Sequence, residues 1–181
     1  MKNTLALLLA LVSPAWCALD YSRWAHPAGD YVIEYPSDWK RSIAMQAVNL
    51  QPPGRAGDLV VVSFERYPLG KGSPAKPKDY IKALLDPVGL TKKLDSRGAA
   101  TVAGIKADKI SLEETKEIKG EYGQKLPGPM KEIHLIVPQK GFYYVLSLRG
   151  VGQAYDEAVP EFDRMSQTLK LGAAPIPDKK Q

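Results

Sequence analysis

The chain has 181 residues, 44% of them hydrophobic, with 25 basic and 20 acidic side chains, a net charge of +5 at pH 7 and a single cysteine. That length suits one domain with a well-covered core, and the mild charge excess excludes a strongly polyanionic or polycationic binder. A nucleic-acid surface would show basic residues clustered on one face or interleaved with aromatics. Instead, Lys92-Lys93, Lys116, Lys119 and Lys131 alternate with Asp95, Glu113, Glu114, Glu117 and Glu132, which reads as a solvated surface.

At the start, Lys2, the apolar run Leu5–Val12, Ser13-Pro14 and the small residues Ala15, Cys17 and Ala18 have the order of a secretory signal peptide. The apolar run is too short for a membrane anchor. Cleavage after Cys17 leaves 164 residues, 24 basic against 20 acidic, and no cysteine. Such a protein would be exported to the periplasm or outside the cell and held by its core rather than by disulfides. Cys17 could instead carry a lipid, but Trp16 stands where a small residue is expected, and soluble export is favoured.

The mature chain opens on a short polar lead-in. Tyr31–Tyr35 is aromatic and β-branched and predicts a strand ended by Pro36, with Trp39 returning to the core. Ile43, Met45, Ala47, Val48 and Leu50 predict a second, less regular strand, stopped by Pro52-Pro53-Gly54. Leu59–Phe64 is apolar on both faces, as in a central strand covered by helices on both sides. Pro77–Leu85 predicts a short amphipathic helix: proline opens it, Tyr80/Leu84 and Ile81/Leu85 are spaced i,i+4, and Pro87 follows.

Thr101–Ala107 reads as strand, tight turn and strand, continuing through Ile110 and Leu112. After the charged, Gly/Pro-rich stretch 113–130, Ile133–Val137 and Phe142–Leu148 predict a hairpin around Pro138–Gly141. Tyr155, Val159, Phe162, Met165 and Leu169 form one stripe of a closing helix, with a kink or restart expected at Pro160. Neighbouring strands joined by short turns imply a mainly antiparallel sheet. Residues 172–181 read as a disordered tail.

Taken in order, Tyr35-Pro36-x-x-Trp39, Thr101-Val102-x-Gly104-x-x-Ala107, Gly141-Phe142-Tyr143-Tyr144-Val145-Leu146 and Tyr155…Phe162-x-x-Met165-x-x-Thr168-Leu169 resemble the PsbP-like family. The resemblance spans nearly all of residues 18–171. It implies an α/β/α sandwich around a mainly antiparallel sheet, the fold shared with the Mog1 Ran-binding protein and with bacterial exported or envelope proteins. It also implies a non-catalytic binding module that acts through protein contacts, without a cofactor, and it brings no functional residues position by position. A photosystem role is not expected, because the signal is of bacterial type and Thr168-Leu169 stands where the family often has Ser-Phe.

The residues themselves offer little chemistry. The two histidines are His26, in the lead-in before Pro27, and His134, within a strand and facing opposite to Ile133 and Leu135; His134 is read as a structural histidine. No Gly-x-Ser-x-Gly turn supports Ser63, Ser111 or Ser147 as a nucleophile. Glu113, Glu114, Glu117 and Glu121 alternate with Lys116, Lys119 and Lys125, which predicts a flexible charged loop rather than a calcium site. Gly70-Lys71-Gly72-Ser73 lacks the glycine spacing of a phosphate loop. Asp156-Glu157 and Glu113-Glu114 fit solvated helix or strand ends. Tyr143 and Tyr144 should point to opposite faces of their strand, both covered by helices. No catalytic, cofactor or metal residue is therefore assigned. The expected function is exported binding of a protein partner or assistance to an envelope complex, with a soluble hydrolase or carbohydrate-active enzyme as the alternative. A convergent acid/base pair in a deep pocket would favour that alternative.

Overall fold

The computed structural model describes residues 20–44, 47–70, 74–114 and 128–172. The signal segment with Cys17, the charged run 115–127, Lys71–Ser73 and the tail from residue 173 lie outside the described residues.

Among the described residues, ten strands and two α-helices follow one another: β1 (Tyr21–Ala25), β2 (Tyr31–Pro36), β3 (Lys40–Ala44), β4 (Ala47–Gln51), β5 (Val60–Pro68), α1 (Pro77–Leu85), β6 (Lys92–Val102), β7 (Ile105–Glu114), β8 (Met130–Gln139), β9 (Phe142–Val151), α2 (Gly152–Thr168) and β10 (Lys170–Leu171), with a short 3-10 turn at Gly54–Asp58. A seven-stranded sheet runs in the order β3-β4-β5-β9-β8-β7-β6, with every pair antiparallel. A second sheet has the order β1-β2-β10. Among the described residues, no helix is long and apolar enough to cross a membrane.

The alternation of side chains sends β5, β8 and β9 to two different cores. Val62, Phe64, Ile133, Leu135, Val137, Tyr144, Leu146 and Leu148 join Tyr155, Phe162 and Met165 of α2 and Tyr31, Ile33 and Tyr35 of β2. Ile136, Tyr143 and Val145 face the other way, with Ile110 and Leu112 of β7 and Ile81 of α1. Each helix therefore covers one face of the large sheet. The expected sandwich holds in coarse form, as a mainly antiparallel sheet with two helices. The face under α2 is shared with a small sheet that the sequence did not suggest.

The helix α1 has the predicted bounds, with Pro77 in its first turn and Tyr80, Ile81, Leu84 and Leu85 packed toward the sheet. Both hairpin expectations hold: β6 and β7 turn at Ala103-Gly104, and β8 and β9 at Lys140-Gly141. At the first turn, φ is 51° at Ala103 and 77° at Gly104, the left-handed pair that a two-residue hairpin demands. Gly150 answers a different need, because a Cβ there would lie 2.5 Å from Val60 Cγ2 and 3.3 Å from Tyr155 Cβ, where β9, β5 and α2 converge.

Four expectations need correction. Ile43–Leu50 is not one strand but the hairpin β3–β4; Ile43 is 60% exposed on the outer strand while Val48 and Leu50 are buried. The lead-in forms β1, because Trp24 packs toward the core beside Ile33. In β5, Val60, Val62 and Phe64 are buried but Val61 and Ser63 only partly, so a single face is deep. Finally, the helix does not restart at Pro160: α2 runs unbroken from Gly152 to Thr168, with Pro160 on its exposed side, where the backbone carbonyl left without its usual donor can be met by water.

Candidate functional site

Beyond the end of α1, the same sheet face carries charge instead of apolar side chains. Glu132 and His134 alternate on β8 with the apolar Ile133 and Leu135 and so share the face that continues to Ile136. Strand register places Leu112 on one side of Glu132 and Arg149 on the other. Lys92 of β6 lies opposite Glu114, one step further along that face.

Glu132 is only 3% exposed. Its carboxylate accepts bonds from Lys92 Nζ at 3.0 and 3.1 Å and lies 3.1 Å from Arg149 Nε. Lys92 also approaches Glu114 at 3.7 Å. His134 Nε2 is 3.1 Å from Glu132 Oε2, and its Nδ1 is 3.0 Å from the Tyr80 hydroxyl on α1. Because a carboxylate only accepts, the neutral ring donates from Nε2 to Glu132 and accepts at Nδ1 from Tyr80. Both imidazole nitrogens are thus engaged.

Burial by itself would raise the Glu132 pKa. The bonds from His134 and Lys92, with the charges of Arg149 and Lys92, outweigh it and hold the group at about 2. Burial pushes the Tyr80 hydroxyl well above the ordinary tyrosine range, and the charges of Glu65 and Glu132 add to this, so it stays protonated as a donor. Beside it, Tyr67 stacks on Tyr143 at 5.0 Å between ring centroids. The Tyr143 hydroxyl, raised to about 12 chiefly by burial, donates to the Pro74 carbonyl at 3.0 Å.

Tyr80–His134–Glu132 has the hydroxyl, imidazole and carboxylate order of a nucleophilic triad, but a reaction needs room for a substrate. Four cavities bounded by described residues, of about 490, 200, 190 and 210 Å³, are lined without Tyr80, His134 or Glu132. The arrangement ties α1, β6, β8 and β9 together around one carboxylate. Among the described residues, no three His, Cys, Asp or Glu side chains converge as metal ligands.

The other sequence candidates lie apart from this cluster. His26 stacks on Tyr31 at 5.0 Å and stands 3.3 Å from Asp30. His134 does face opposite to Ile133 and Leu135, as expected. Tyr143 and Tyr144 are both buried and belong to opposite faces. Ser63 Oγ donates to Asn49 Oδ1 at 2.7 Å, and Ser147 lies opposite His134 in register, yet neither is bonded to that ring. Ser111 is buried on β7. Glu113 and Glu114 end β7 rather than entering a loop, whereas Glu117 and Glu121 lie outside the described residues. Asp156 and Glu157 are exposed on α2.

The solvated-surface expectation fails at Lys92 and Glu132, because pairing across three strands makes burial of these charges possible. The available signal was Glu132-x-His134, two polar residues at strand spacing within an apolar strand. Nothing local linked them to Lys92, Arg149 or Tyr80.

No family model and no curated protein matches the sequence. Solved structures do. The Ran-binding protein Mog1p of Saccharomyces cerevisiae superposes with a TM-score of 0.55 at 10% identity, covering 86% of this chain and 97% of Mog1p. Cyanobacterial PsbP (CyanoP) of Synechocystis sp. PCC 6803 gives 0.50 at 14% identity, covering 90% of this chain and 98% of CyanoP. A protein of Bacteroides thetaiotaomicron VPI-5482 gives 0.54 at 12% identity over 82% of this chain, which spans only about half (47%) of that structure. At such identities the likeness speaks for architecture, and it agrees with the order of elements read from the sequence: the chain has a Mog1/PsbP-like fold.

Proposed function

We propose that this chain is a non-catalytic binding module, exported through its first 17 residues, that contacts a protein partner or assists an envelope complex. The observation that carries this reading is the closed state of the interior cluster. His134 has both nitrogens engaged, Glu132 is committed to Lys92 and Arg149, and none of the four cavities bounded by described residues is lined by Tyr80, His134 or Glu132, although Arg149 borders one of them. The likeness to a Ran-binding protein over 86% of this chain supports a role exercised at the surface. For the hydrolase alternative, the order Tyr80–His134–Glu132 is the favourable feature, whereas none of the four cavities bounded by described residues is lined by that ring.

The test is affinity capture by the chain from Ala18 to Gln181 in its native envelope extract, with bound proteins identified by mass spectrometry. The expected result is a stoichiometric partner displaced by excess untagged protein. Absence of any such partner would contradict the reading.

A further inference from the structure

Resting on the reading as a binding module, we propose that the outer edge of β6 between Arg97 and Val102 accepts an extended acidic segment of the partner protein as an added strand.

Among the described residues, the large sheet ends in β3 on one side and β6 on the other, and the two edges differ. The β3 strand has five residues, and its Arg41 folds back over the Trp24 ring at 4.9 Å. The β6 strand has eleven residues, most of them exposed. Edge strands are usually blocked by charge, proline or a bulge. The first half of β6 has two of these devices, with Lys92, Lys93 and Asp95 and a register shift between Leu94 and Ser96. Gly98-Ala99-Ala100-Thr101 has none of them, and its small side chains let another backbone approach.

Counting back from the two-residue turn, an antiparallel ladder directs the N–H and C=O of Val102, Ala100 and Gly98 toward β7. Those of Thr101, Ala99 and Arg97 point outward. A row of donors and acceptors repeating at roughly 7 Å is matched by the backbone of another strand.

Charge selects the strand. Arg97, Lys106 and Lys109 flank this stretch against Asp108 alone, and none of the three cations has an ion-pair partner among the described residues. In this register Arg97 and Lys106 share the α1 face while Lys109 stands on the other, so acidic side chains on one face of the incoming strand would meet Arg97 and Lys106, and basic ones would be repelled.

The probe is a capped peptide of about seven residues with Glu at alternate positions and Thr or Val between them, compared with its Lys counterpart. Amide hydrogen exchange of the full mature chain should slow at Arg97, Ala99 and Thr101 on adding the acidic peptide, with little change at Gly98 and Ala100. The Lys peptide should have no effect. Ala99→Pro, which removes one outward donor where proline is tolerated, should weaken binding about tenfold. Reversing charge with Arg97→Glu and Lys106→Glu, on the same face, leaves the backbone intact and should reverse the peptide preference, so the test survives if the proline variant fails to fold. Unchanged exchange at the three amides with saturating peptide would overturn the proposal. So would protection that grows with protein concentration alone, which would identify a second copy as the occupant. In the capture experiment, a partner held equally well by wild type and Ala99→Pro overturns the edge and leaves the binding module standing. Absence of any partner overturns the module, while the peptide titration still decides the edge.

Discussion

The two faces of the large sheet are closed by different means. Under α2, the rings of Tyr31, Phe64 and Tyr144 meet at 4.0 and 5.1 Å, Phe162 and Met165 fill the space above, and the core extends onto the small sheet. Under α1, a nine-residue helix covers a smaller apolar group, and the sheet beyond it carries Glu132 with its cations. Apolar burial stabilises in proportion to area, so the α2 face should supply most of the cohesion. A buried ion cluster adds little over a well-packed apolar substitute, but it penalises error strongly. Sliding β8 by one residue would turn Glu132 toward the apolar α2 face, away from Lys92 and Arg149. One face supplies stability, and the other holds the strand order.

Substitutions on each face can break this contrast. Phe162→Ala should cost about 4 kcal/mol, through lost apolar transfer and a cavity, with the same loss at neutral and mildly acidic pH; urea unfolding measures it. Glu132→Gln should cost roughly 3 kcal/mol at pH 7, because Lys92 and Arg149 remain without their carboxylate, and the loss should shrink as the pH falls. Tyr80→Phe should cost about 1 kcal/mol, the value of one hydrogen bond, with the acid dependence of the wild type retained. An equal pH dependence in Phe162→Ala and Glu132→Gln would remove the distinction between the faces.

The face under α2 was largely legible in the sequence, because its pattern is apolar and periodic. Tyr155, Phe162 and Met165 recur at helical spacing, and the hairpin from Ile133 to Leu148 shows strand composition; on the other face only α1 itself, punctuated by Pro77 and Pro87, was legible. Pro160 misled because helix breaking was judged without knowing that its side of α2 faces water. The β1 strand was missed because Tyr21–Ala25 is short and mixed, and becomes a strand only through pairing with β2. The ion cluster could not be read locally. Lys92 and Glu132 are 40 positions apart, and charged residues among other charges read as surface until the register brings them together.

The most direct test of the claim that the Glu132 cluster is structural is unfolding free energy against pH, from 7 down to about 2, for the wild type and Glu132→Gln. The carboxylate is held at about 2, below its ordinary 4.5. Its contribution is therefore complete above the ordinary value and is lost as the pH falls toward the folded one. The wild type should lose roughly 3 kcal/mol more than Glu132→Gln across that window. Parallel curves for the two proteins would contradict the account.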